Sequence, residues 1–75
     1  MTSTVFKTMR MLEDSKLHFF IERTRLDAIR FSVTTVGERI EIDVFEDEHL
    51  EISHFVGDEA VIGGMDLLIN ILKSV

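Results

Sequence analysis

Between Ala28 and Val56 the chain is written with a period of two. Ile29, Phe31, Val33 and Thr35 alternate with Arg30, Ser32 and Thr34. Ile40, Ile42 and Val44 alternate with Glu41, Asp43 and Phe45, and Leu50, Ile52 and Val56 stand opposite Glu51, Ser53 and Phe55. Successive side chains of a strand point to opposite faces, so each run presents one apolar and one polar face. The segments between them, Val36-Gly37 and Glu46-Asp47-Glu48-His49, are too short for a crossover and force antiparallel neighbours. Gly37 supplies the positive φ of a tight hairpin, whereas the second turn is charged and lacks a Gly. A short apolar strand over Leu17–Ile21 completes a predicted four-stranded meander.

The flanks change period. Ser3 or Thr4 can cap a helix over residues 3–14 whose stripe is Val5, Phe6, Met9 and Leu12, and Ser15-Lys16 ends it. After Gly63-Gly64 the residues Met65, Leu67, Leu68, Ile69, Ile71 and Leu72 describe a second helix, with Leu68, Leu72 and Val75 on one face. The expected fold class is therefore α+β, a single domain over residues 1–75 in the order α-β-β-β-β-α, with both helices on one sheet face. Strands lie ~4.8 Å apart and helices are ~10 Å wide, so two helices cover one face of four strands and no more. The other face is expected to meet water.

With no Cys, Pro, Trp or Tyr in its 75 residues, the chain must build its core from Ile, Leu, Val, Met and six Phe. It has no disulfide or thiolate metal site to lean on. No apolar run approaches the ~18 residues of a membrane span, and the N-terminus lacks the order of a signal peptide, so the cytoplasm is the expected location. Charge is segregated along the chain. Residues 1–37 carry a net +2, residues 38–59 a net −8, and residues 60–75 balance. The stretch ERIEIDVFEDE alone holds six acidic side chains in eleven positions. A block this acidic excludes direct nucleic-acid binding, which needs Lys and Arg to displace counterions. It leaves a basic protein partner, or a solvated sheet face.

Strand parity assigns Phe20, Glu41, Asp43, Phe45, Glu51 and Phe55 to the uncovered face. Three Phe among carboxylates suggest partner-binding residues. Two alternatives stand beside this assignment. A bulge at Ser53-His54 would turn Phe55 into the core and His54 outward, and Phe20 and Phe45 could cover a sheet edge beneath a loop. Gly63-Gly64 lacks the Lys-Ser/Thr pair of a phosphate loop. Glu46-Asp47-Glu48 lacks the ligand spacing and central Gly of a calcium loop. His18, His49 and His54 are not at helical ligand spacing. No catalytic residue, metal or cofactor is expected.

Asp27-Ala28-Ile29, the run from Gly37 through Arg39 and Phe45 to Asp47, and Leu50-Glu51-Ile52 with Phe55 together resemble a family of short uncharacterised bacterial proteins. The likeness spans roughly residues 25–72, and its most specific part is the Gly37-Glu38-Arg39 hairpin and the strand after it. This chain has Val36 where the family's pattern has Pro, Ile40 where Trp is common, and Glu48 where Gly closes the second turn. The resemblance implies fold and bacterial origin and no activity. By size and charge the chain is also similar to immunity proteins and antitoxins. The expected function is thus a small acidic protein-binding module, an immunity- or antitoxin-like inhibitor of a basic protein. The alternative is a homo-oligomerising, non-catalytic subunit, a homodimer using the second helix or the strand edges.

Overall fold

The computed structural model describes residues 3–73; Val75, assigned above to the second helix, lies outside them. Helix α1 spans Thr4–Asp14, followed by strands β1 (Phe19–Arg25), β2 (Ala28–Thr35), β3 (Glu38–Phe45), β4 (Leu50–Val56) and β5 (Glu59–Gly63), then helix α2 (Met65–Lys73). The strands form one antiparallel sheet in the order β1-β2-β3-β4-β5. The expected four strands are therefore five. The additional strand follows a two-residue turn, Gly57-Asp58, with Gly57 at φ 60°, a glycine-led hairpin signal that the sequence does contain. β1 is also longer than Leu17–Ile21, because a bulge between Glu22 and Arg25 carries it past a polar stretch without alternation.

Register explains the alternation. One face carries the rows Phe19-Val33-Ile40-His54-Val61 and Ile21-Phe31-Ile42-Ile52-Gly63 across the strands. Leu12 of α1 and Leu68 and Ile71 of α2 close over this face, forming one core with Phe31, Val33, Ile40, Ile42, Val44 and Ile52. Gly63 lets α2 begin directly on the sheet, since a Cβ there would lie 3.0 Å from the Leu67 side chain. Two helices are too narrow for five strands. Ile21 on β1 and Val61 on β5 point to the covered face and are still 53% and 50% exposed.

The helix ends are set by local chemistry. Ser3 is the N-cap of α1, and its Oγ accepts from the Phe6 N–H at 3.3 Å. At the other end Lys16 adopts φ 59°, and the Leu17 N–H donates to the Leu12 carbonyl at 3.1 Å, a left-handed C-terminal cap. The β3–β4 turn holds a second such residue, Glu48 at φ 74°. This is the left-handed position that follows a tight turn in a three-residue hairpin and is ordinarily Gly. Here the side chain has a use. The Thr4 N–H, unbonded within the helix, donates to Glu48 Oε2 at 2.7 Å, and Thr4 Oγ1 donates to the Glu48 carbonyl at 2.9 Å. Hydrogen bonding from the Thr4 side chain, then from its N–H, lowers the Glu48 pKa below the usual carboxylate value.

Two outcomes test this architecture. Ile42→Asp places a charge at a fully buried position between Phe31 and Ile52 and should cost roughly 4 kcal/mol or more, read as loss of the cooperative melt. Glu48 is ionised in the fold at a lower pH than in the unfolded chain. Its contribution is therefore fully present above the unfolded value near ~4.3 and is lost as pH falls through the folded one. Glu48→Ala keeps the strained φ and loses the cap. The melting-temperature gap between it and the parent should be widest at neutral pH and narrow as pH falls below the unfolded value.

Candidate functional site

The face turned away from the helices has four rows. Phe20, Ser32, Glu41, Ser53 and Ile62 form one, Glu22, Arg30, Asp43 and Glu51 the next, Thr34, Arg39, Phe55 and Ala60 a third, and Arg25, Ala28 and Phe45 the last. All six residues expected on this face are on it. β4 pairs with β3 without a register shift, so Phe55 faces outward. His54 faces the covered side, where its Nε2 lies 3.0 Å from Glu38 Oε1. The bulge alternative at Ser53-His54 is excluded.

The carboxylates are not a free acidic strip. Arg30, in the middle of the face, makes a two-pronged bond to Asp43, Nε–Oδ1 2.8 Å and Nη2–Oδ2 3.2 Å, and its Nη1 lies 3.5 Å from Glu41. These three side chains are 19–27% exposed. The bond to Asp43 is the main cause that raises the Arg30 pKa above its ordinary value. Ser32 donates to Glu22 at 3.4 Å. Arg39 lies over the Phe55 ring, 4.6 Å from its centroid. Charge that is segregated in the sequence is thus partly recombined across the sheet, β2 supplying the cation for Glu41 and Asp43 of β3. Of the expected residues, Glu51 keeps the most exposed carboxylate, 61% accessible, with His49 Nε2 at 4.0 Å.

The three Phe stand apart on different rows and do not make one apolar patch. Phe20, 62% exposed, is on edge strand β1 with His18 edge-on to it at 5.5 Å. Phe45 is half-buried at the far end of β3. His49 stacks on it at 4.3 Å and 4°, and the Arg25 guanidinium lies 5.1 Å from its centroid. Arg25 reaches this face because of the β1 bulge; without the additional residue its parity would be that of Ile21. Asp47 accepts from the His49 N–H at 3.1 Å and also contacts the His49 ring. The backbone bond, then the ring contact, lowers the Asp47 pKa.

Beside Phe45 the end of the sheet opens into a groove of about 190 Å³ between α1 and the β1–β2 and β3–β4 turns. Its apolar lining includes Val5, Leu26, Ala28, Ile29, Val44 and Phe45, and Asp27, Glu46 and Glu48 are its carboxylates, with Arg23 at one side. The Glu46 N–H donates to the Asp27 carbonyl at 3.0 Å, joining the two turns. Leu26, which the sequence reading passed over, is 88% exposed. Its signal was an apolar residue within the polar turn Arg25-Leu26-Asp27. Among the described residues no group of three or more His, Asp and Glu could hold a metal ion, and no helix is long and apolar enough to cross a membrane.

The Arg30 cluster is testable by charge removal. Arg30→Met leaves Glu41 and Asp43 between Glu22 and Glu51 with no cation, and should cost roughly 1–3 kcal/mol at neutral pH. The cost should shrink at high salt, which screens the uncompensated carboxylates from one another. An equal or larger loss at high salt would show that the side chain acts through packing alone.

No family model matches the chain, and no curated protein or solved structure matches it.

Proposed function

We propose that the chain is a non-catalytic protein-binding module that receives an apolar side chain flanked by basic residues from a partner protein, at the Phe45 end of the sheet. The observation that carries this reading is the groove itself, apolar within and lined by three carboxylates against the single arginine Arg23. At about 190 Å³ it falls below the ~300 Å³ at which small-molecule sites begin, and it suits one inserted side chain. Leu26 and Phe45 supply exposed and half-buried apolar surface for an anchor, and Asp27, Glu46 and Glu48 line it with carboxylates, Asp27 already paired with Arg25. Glu51 extends that charge onto the open face, and Phe20, Glu41, Asp43 and Phe55 continue the surface from there. An inhibitor of a basic enzyme, of the immunity or antitoxin kind, is one function that such an end would serve. Charge would speed encounter, and the buried anchor would slow release.

A display library of short peptides tests the reading, each peptide carrying one aromatic or aliphatic residue among Lys and Arg, against an uncharged library of the same design. Basic peptides should be enriched and should bind more weakly as salt rises. Phe45→Ser and Leu26→Ser should each reduce affinity about tenfold or more while circular dichroism stays unchanged. Equal enrichment of uncharged peptides, or binders indifferent to both substitutions in a folded protein, would overturn it.

A further inference from the structure

The sheet is open, so β1 and β5 each leave a row of backbone groups without a strand partner. The two edges are not alike. β1 carries Glu22, Arg23 and Arg25, is kinked by its bulge, and has Arg23 donating to the Arg25 and Leu26 carbonyls at 3.4 and 2.7 Å. Charge, a bulge and side-chain coverage are the devices by which edges resist pairing. β5 has neither a bulge nor side-chain coverage, and little charge. It pairs with β4 without a shift, its one charged residue is Glu59, and Ala60, Val61 and Ile62 are all exposed, Ile62 at 76%.

We infer that β5 pairs antiparallel with β5 of a second copy about a twofold axis at Val61, giving a ten-stranded sheet. Three features select this occupant and register. Val56 and Glu59 close a two-residue turn and exchange the first bonds of the β4–β5 ladder. By alternation the N–H and C=O groups of Ala60 and Ile62 then point to the free edge. A twofold axis at Val61 sets Ala60 against the second copy's Ile62, so the outward groups of both copies meet each other. The same axis sets Glu59 against Gly63, so no like charges are opposed across the pair. Such an axis also keeps the helix-covered faces on one side. α2 packs on β4 and β5. Centred over them, it would lie roughly 10 Å from α2 of the second copy, the ordinary spacing of packed helices. The half-exposed Val61, on the edge strand, would be covered by its own counterpart. The association is weak and transient, because each strand offers only five residues and each copy carries a net −6. Salt strengthens it by screening that repulsion, the opposite of its effect on a basic peptide in the Phe45 groove, on which this pairing does not depend.

The chain has no Cys, so single-cysteine variants report the edge directly. In the proposed pair Val61 faces Val61 at a non-hydrogen-bonded position, where Cβ atoms come within disulfide reach. Ile21→Cys is a control of matched exposure on the other edge. Under mild oxidation Val61→Cys should form covalent dimer about tenfold faster than Ile21→Cys, and faster at high salt. Sedimentation of the parent protein between about 10 µM and about 1 mM should show mass rising toward a dimer. Ile62→Pro, which removes an outward N–H and no bond to β4, should abolish that rise; Ile62→Lys is the second variant should the proline not fold. Equal cross-linking at both edges, or a parent protein monomeric at the highest concentration, would overturn the proposal.

Discussion

Two helices cannot cover five strands, and most of what distinguishes this protein follows from that mismatch of width. Helices about 10 Å across, laid on strands ~4.8 Å apart, seal the middle of one sheet face. They leave its margins exposed at Ile21 and Val61. The opposite face receives no cover at all. It must therefore satisfy its own charges, and it does so by placing Arg30 between Asp43 and Glu41 and Arg39 over Phe55. The acidic run of residues 38–48 is accordingly part of the sheet's own electrostatics first. The carboxylates left for another molecule are gathered at the turns.

That division separates surface which stabilises the fold from surface open to a partner. Phe45 is on the border, stacked by His49 and approached by Arg25 on one side, and lining the groove with Leu26 and Val5 on the other. Asp47 and Glu48 show the same economy. Both are hydrogen-bonded inside the turn or to the N-terminus of α1, so the carboxylates of one loop also shape the groove beside it.

Strands β2, β3 and β4 were legible because a sheet buried on one face must alternate in sequence. β5 was not, because Ala60, Val61 and Ile62 at an edge bury neither face fully and carry no such period. Its only sign was the Gly57-Asp58 turn. The end of β1 was hidden for a related reason: the bulge after Glu22 shifts parity, which moved Arg25 to the face of Phe45. Of the candidate site, parity placed the three Phe and the carboxylates correctly. Their partners were out of reach, since Arg30 meets Asp43 only once the length of the Val36-Gly37 turn fixes the register. Likewise Glu48, read as a missing Gly, is a cap whose recipient Thr4 stands 44 residues away.

That last distance bears on how the molecule assembles. Every strand pairs only with its neighbours along the chain, a topology of low contact order that favours rapid, stepwise zippering from hairpin to hairpin. The first helix is the exception. Its terminal N–H is satisfied by a residue that emerges from synthesis only after three strands have been made. During translation the N-terminus of α1 therefore lacks this partner until the β3–β4 turn closes.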